Sequence, residues 1–276
     1  MEDNKKQIIE LYFKNVHGKK PDTSNSNPNH DGKKGHWLER QFGISANGKN
    51  DADLMGYELK NETKSKTTFG DWSANEYIYT NPMYNEIFNK RKRVENRDIF
   101  LHMFGDANNP KHPGRYSWSG SPVPKIGKYN DYGQILIVDT NNDIVAMYSY
   151  SHDKRSDKMN IVHKDLQLEN LELARWYSHD LPIINKRSPK SIKQKFEDKF
   201  SQNGWFTCKK DTDGKYCKIC FGEPMNFYDW LDQIKQGIVI FDGGMYIGNS
   251  RPYSEWRANN KYWDGLIVEE YTELPE

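Results

Sequence analysis

Residues 134–148 constrain the fold more than any other stretch of the chain. They read Gln134-Ile135-Leu136-Ile137-Val138, then Asp139-Thr140-Asn141-Asn142-Asp143, then Ile144-Val145-Ala146-Met147-Tyr148. Aliphatic and β-branched side chains suit a pleated surface, and a short polar linker of Asn and Asp turns a chain back on itself. The segment is therefore expected to be an antiparallel hairpin of two apolar strands. Helical and extended patterns lie on both sides of it.

Residues 4–16 carry Ile8, Ile9, Leu11, Tyr12 and Phe13 in an amphipathic helical pattern. A polar loop rich in Asn, Ser and Pro is expected to follow, to about residue 31. From Gly32 to Gly43, Trp37, Leu38 and Phe42 recur at helical spacing, and Gly43 stands where that helix would end. Residues 83–93 are expected to form a helix whose basic end, Asn89-Lys90-Arg91-Lys92-Arg93, is solvated rather than a DNA clamp. Ile99 to Phe104 reads as a short apolar strand. Residues 105–130, rich in Gly, Pro and Ser, read as a long loop carrying His112, Arg115, Trp118, Lys125 and Lys128. A helix at 189–201 (Ile192, Phe196, Phe200) precedes a hairpin from Trp205 to Cys220 that turns at Asp211-Thr212-Asp213-Gly214. A helix at 227–235 and a strand at 238–241 follow. Arg251 to Arg257 then mixes arginine with aromatic residues on an expected loop.

A chain of 276 residues is long enough for one large domain or two small lobes. Its formal charge of +1 neither supports nor excludes nucleic acid, so only local clusters bear on that question. Charged residues at 29% and aromatic residues at 13% exclude a fibrous or disordered chain. No apolar run approaches the roughly 20 residues that span a bilayer. The first residues lack the apolar core of a signal peptide. Three cysteines, an odd number, point to a reducing compartment, and a cytoplasmic location is expected. Cys217-Lys218-Ile219-Cys220, with Cys208 upstream, invites a zinc reading, but neither a second pair nor a nearby histidine completes four ligands.

The chemistry concentrates in Ala52-Asp53-Leu54-Met55-Gly56-Tyr57-Glu58-Leu59-Lys60, read as a turn feeding a short strand. Side chains alternate across a strand, so Glu58 and Lys60 share one face while Tyr57 and Leu59 take the other. A bend eased by Gly56 can bring the Asp53 carboxylate beside that of Glu58. Two carboxylates form a hard oxygen site for a divalent cation, with the lysine a point charge beside it, which is equipment for phosphodiester hydrolysis. The motif is weak alone: six acidic-x-Lys triplets occur, at Asp3, Asp31, Glu58, Glu62, Glu197 and Asp213. Only the Glu58 triplet has a large apolar residue on each side of the acid and another acid a turn upstream. The competing reading is a solvated strand edge with a structural ion pair. Glu39, on the expected 32–43 helix, is placed to supply a third acid.

This order of elements resembles that of MutH-like type II restriction endonucleases of the PD-(D/E)XK kind. Asp53, Glu58 and Lys60 are spaced like the Asp-x4-Glu-x-Lys centre of the MvaI and BcnI enzymes. Gly35-His36-Trp37-Leu38-Glu39 and Thr67-Thr68-Phe69-Gly70-Asp71-Trp72 also look like the LlaMI and ScrFI group. The resemblance in element order covers about 32 to 268, and its detailed motifs 32–72. It implies an α/β fold with a mixed sheet flanked by helices in two lobes, a catalytic lobe at about 1–150 and a DNA-recognition lobe with return elements at about 151–276. It implies a Mg²⁺-dependent enzyme that cuts duplex DNA at a short CC-x-GG-like site, leaving 5′-phosphate and 3′-hydroxyl ends. It further implies a monomer paired functionally with a cognate DNA methyltransferase. By similarity Asp53 and Glu58 correspond to the metal-binding carboxylates, Lys60 to the lysine that positions or deprotonates the water, and Glu39 to a glutamate near that centre. DNA contacts are assigned by location to Arg251, Tyr253, Arg257, Arg115, Lys64 and Lys66. The 105–130 loop and the C-terminal loop depart from the family and leave the recognised sequence open. A strand-nicking repair endonuclease and a catalytically inert DNA-binding protein are the alternatives.

Overall fold

In a computed structural model of the chain, residues 3–24, 32–45, 50–182 and 189–275 are described, so the expected polar loop ending near residue 31 lies partly outside them. Two compact units form. Met1–Thr67, Lys195–Phe227 and Ala258–Glu276 make the first, and Thr68–Gln194 with Tyr228–Arg257 make the second. The division is interleaved along the chain and is not a single cut near residue 150. The reason is a pairing across sequence: the strand Glu58–Lys60 lies parallel to Trp205–Lys210, with Glu58 opposite Trp205 and Lys60 opposite Thr207.

The first unit is a four-stranded sheet in the order Glu58–Lys60, Trp205–Lys210, Tyr216–Gly222, Ile267–Tyr271. Its last two pairings are antiparallel. One face is covered by the helices Asp3–Asn15 and Lys33–Gln41. Ile8, Ile9 and Tyr12 recur on one stripe of the first, with Val16 just past its end, and Trp37 and Leu38 belong to the second, with Phe42 at its C-terminal cap. They pack on Tyr57, Leu59, Phe206, Tyr216, Ile219 and Phe221 of the sheet. Trp37 stacks on Tyr216 at 5.8 Å, and Phe42 meets Phe206 edge-on at 5.1 Å. Each such side chain contributes about 1.5–3 kcal/mol by leaving water. Alternation then sends Glu58 and Lys60 to the opposite face, where Trp205 packs on Trp263 at 4.9 Å. Trp263 belongs to the short helix Asn260–Asp264, and its ring also meets Phe200 at 6.3 Å, the last residue of the helix Ile192–Phe200. The three cysteines are free thiols on the hairpin, and Cys208 and Cys220 are buried there.

In the second unit the hairpin expected at 134–148 forms as Tyr132–Val138 and Ile144–Asp153, with Val138 opposite Ile144 and Ile137 opposite Val145. It continues into a four-stranded antiparallel sheet through Leu171–Trp176 and Glu76–Tyr77. Two expectations fail here. Residues 83–93 are not one helix: a 3₁₀ turn spans Pro82–Tyr84, and the helix begins only at Arg93 and runs to Phe104. Ile99 to Phe104 is thus helical, not extended. Its buried residues are Asn96, Arg97, Phe100, Leu101, Met103 and Phe104. Two of them are polar, which hides the helical period from hydropathy, while the last six residues are apolar but for His102. Arg97 is buried because Nη1 donates to the Asn249 carbonyl at 2.7 Å and Nη2 pairs with Asp98 at 2.8 Å. The expected loop at Arg251 to Arg257 passes into the strand Glu255–Asn259, antiparallel to Ile240–Asp242.

Candidate active site

Local chemistry builds the Asp53 turn. Leu54 and Tyr57 exchange backbone hydrogen bonds of 3.0 and 2.8 Å, closing a two-residue reversal at Met55-Gly56. Both turn residues have positive φ, 52° and 80°. A tight hairpin of this kind needs that geometry, and glycine adopts it without a Cβ clash. Asn203 clamps the turn: its backbone N–H donates to the Gly56 carbonyl at 3.0 Å, and its Nδ2 donates to that of Met55 at 2.8 Å. Since 54 faces 57, residues 53 and 58 come next in register, and opposed residues project to the same side. Instead of continuing the ladder, Asp53 Oδ2 accepts from the Leu59 N–H at 3.0 Å.

Glu58 is 2% exposed and Lys60 8% exposed, so the solvated strand edge is ruled out. Lys60 Nζ donates to Glu58 Oε1 at 2.8 Å, and Lys199 Nζ donates to the same oxygen at 2.8 Å. Glu58 Oε2 is buried with no hydrogen-bond partner. Burial pushes the Glu58 carboxyl up, but the two ammonium charges outweigh it and hold the group below the usual carboxylate range. Burial, and then the Glu58 charge, push Asp53 up to about 6, against the opposing pull of Lys199 and Lys60. Burial and the Lys199 charge lower the proton affinity of Lys60 despite Glu58 beside it. The Lys60 ammonium also lies 5.1 Å from the centre of the Phe200 ring. The result is a largely buried, nearly charge-balanced cluster of two acids and two lysines, carried by a turn, a strand and a helix of the first unit.

Lys199 was not anticipated. It sits in the last turn of Ile192–Phe200, and the Glu197-x-Lys199 triplet that marks it looks in sequence like any other chance triplet. Glu39 is half-buried on Lys33–Gln41, and among the described residues it is not gathered with Asp53 and Glu58 into a group of three acids. Among the described residues no group of three or more His, Cys, Asp or Glu is gathered as a metal cluster. What remains is the Asp53–Glu58 pair. Its fit to a divalent cation rests on Glu58 Oε2, an orphaned buried acceptor, and on Asp53, a second carboxylate whose charged form burial and then the Glu58 charge disfavour.

The residues assigned to DNA separate into engaged and available groups. Arg257 Nη1 lies 3.2 Å from Asp242 Oδ2, and its Nη2 donates to Glu255. Arg251 pairs with Asp71 at 2.7 Å and covers the Tyr253 ring at 4.5 Å. Arg115 differs. Its guanidinium carbon lies 3.8 Å from the centre of the Tyr246 ring, its Nε is buried without a partner, and no carboxylate pairs with it among the described residues. Lys64 and Lys66 are exposed and form no ion pair among the described residues. The second unit also holds an open groove of about 770 Å³ lined by Lys125, Lys128, Tyr129, Lys154 and Arg155 among others. Lys154 is engaged there only by the exposed Asp131 at 2.8 Å.

The sequence profile of the LlaMI restriction endonuclease family matches residues 16–271. The type II restriction enzyme ScrFI of Lactococcus lactis subsp. cremoris is 52% identical over 270 residues, spanning 98% of this chain and 99% of that one. Among solved structures, the complex of restriction endonuclease MvaI with its cognate DNA substrate superposes with a TM-score of 0.58. That match is 12% identical and covers 98% of each chain, so the two share a fold.

Proposed function

Given that the chain belongs to the LlaMI restriction endonuclease family and is a type II restriction endonuclease of the ScrFI and LlaMI kind, we propose that Asp53, Glu58 and Lys60 form its nuclease centre. The observation that carries this reading is the buried Glu58 carboxylate, with one oxygen held by two lysines and the other unpartnered. Asp53 and Glu58 would hold Mg²⁺, which would supply charge to polarise the scissile phosphate and stabilise the attacking and leaving oxygens. Asp53 must be ionised to serve. Lys60, fixed at 2.8 Å by Glu58, would orient the attacking water, and would take its proton only as the neutral amine, after the ammonium has released a proton of its own to solvent. The P–O3′ bond breaks, leaving a 5′-phosphate and a 3′-hydroxyl. The largely buried surroundings strengthen each of these interactions.

Duplex DNA is the substrate and a short CC-x-GG-like sequence the target. Arg115 is the first choice for base readout, because it is already held over the Tyr246 ring and no carboxylate occupies its donors, as guanine O6 and N7 require. Arg251, Tyr253 and Arg257 contact DNA by exchanging Asp71, Asp242 and Glu255 for acceptors on the nucleic acid. Lys64, Lys66 and the lysines of the groove neutralise phosphates. The enzyme acts as a cytoplasmic monomer beside a methyltransferase that protects the same sequence. In Mg²⁺, the wild-type protein should convert supercoiled phage or plasmid DNA to discrete double-strand fragments whose ends share one sequence. Asp53→Ala and Glu58→Ala should each abolish cleavage and keep sequence-specific binding in Ca²⁺. Open circles alone would indicate a nicking enzyme, and full cleavage by either variant would remove the pair from the chemistry.

A further inference from the structure

We propose that Lys199 is a positioning residue that acts through Glu58, its ammonium group standing on the carboxylate in place of a divalent cation and so setting the cation concentration at which the site becomes competent. This rests on the reading that Asp53 and Glu58 hold the cation. A carboxylate as buried as Glu58 is costly unless paired, so some positive charge must sit on it before a metal arrives. Lys60 alone would neutralise it. The second ammonium, also 2.8 Å from Oε1, balances Asp53 as well, and the four groups together carry no net charge when all are ionised. A divalent cation entering that cluster meets two like charges within the same carboxylate's reach.

The two lysines differ in their freedom to give way. Lys60 lies on the strand that carries Glu58, two residues away, and its ammonium is also held near the Phe200 ring. Lys199 comes from a separate element at its last turn, and its side chain is 17% exposed, so its long stem leads toward water. Withdrawal of Lys199 frees Glu58 Oε1, joins it to the already unpartnered Oε2, and removes one repelling charge. A merely structural lysine would stabilise the fold without opposing the metal.

Mn²⁺ affinity of the full-length protein without DNA, measured by calorimetry, tests the assignment. Lys199→Met should bind Mn²⁺ about tenfold more tightly than wild type, and Lys199→Arg should stay within about twofold, since unit charges a few ångströms apart repel at that scale. The Mg²⁺ concentration giving half-maximal single-turnover cleavage should fall in Lys199→Met by a similar factor. Unchanged or weaker Mn²⁺ binding in a folded Lys199→Met protein would overturn the proposal. Lost DNA affinity in Ca²⁺ with unchanged Mn²⁺ affinity would also overturn it, making Lys199 a phosphate contact. If Lys199→Met does not fold, Lys199→Gln carries the same comparison with a neutral donor. Abolition of wild-type Mn²⁺ binding by Glu58→Gln secures the underlying site separately, whereas a wild-type protein that binds no Mn²⁺ sinks both readings together.

Discussion

The Asp53 carboxyl is pushed up to about 6 by burial and by the Glu58 charge, whereas in the unfolded chain it titrates near about 4. Between those values the folded protein binds more protons than the unfolded one, so its stability falls as pH rises through that window and levels off above about 6. Asp53→Asn removes the titration and keeps an oxygen for the Leu59 N–H. In the metal-free state this variant should gain on wild type progressively from about pH 4 to about pH 6 and hold its advantage above, as read by urea unfolding across the range. A difference independent of pH would show that Asp53 titrates like an exposed acid. Glu58 works with the opposite sign. Burial raises it, but Lys60 and Lys199 hold it low, so its contribution is present above the unfolded value and lost as pH falls through the folded one. The arginines separate at the same scale. Arg115→Ala should lose about 1–3 kcal/mol of discrimination at one guanine position. Arg257→Ala, which removes a side chain already bound to Asp242 and Glu255, should weaken all sequences alike. Competition binding against single-base variants decides, and uniform loss in Arg115→Ala would return base readout to the Arg251–Arg257 segment.

Among elements, the turn at Met55-Gly56 positions the chemistry. Gly56 has φ of 80°, and a Cβ there would lie 2.7 Å from Asn203 Nδ2. Gly56→Ala should therefore cost about 1–2 kcal/mol from the left-handed backbone alone, more if Asn203 must move, and should slow single-turnover cleavage beyond what the stability loss explains. Asn203→Ala should reproduce the kinetic defect with normal φ at residue 56. Cleavage at the wild-type rate in both would mean that Asp53 finds its place without the turn. The turn was legible in sequence because glycine chemistry and strand alternation act over a few neighbouring residues. The helix Arg93–Phe104 was not. Its buried face includes Asn96 and Arg97, and the bond from Arg97 to the Asn249 carbonyl that makes this tolerable comes from far along the chain. Hydropathy alone had no means of counting a satisfied arginine as part of a core.

For the whole molecule, the chain leaves the first unit after Thr67, returns at Lys195, leaves again after Phe227 and returns at Ala258. The groove of the second unit presents Lys125 and Lys128 without an ion pair among the described residues. Lys125→Glu combined with Lys128→Glu should weaken DNA binding in Ca²⁺ at every sequence and reduce the slope of log affinity against log salt by about 2. Unchanged affinity and slope would remove the groove from the DNA interface. By itself the sequence determined the central hairpin, the sharing of one face by Glu58 and Lys60, and the approach of Asp53 through a glycine turn. These follow from side-chain alternation and backbone preference within a few residues. Tertiary structure alone decided that Lys199 joins Glu58, that Glu39 does not, that Arg251 and Arg257 meet carboxylates while Arg115 meets a tyrosine face, and that the two units interleave. Each depends on which distant segments pack together, above all on Glu58–Lys60 lying parallel to Trp205–Lys210, and that register is set by burial of the whole sheet face and leaves no local mark in the chain.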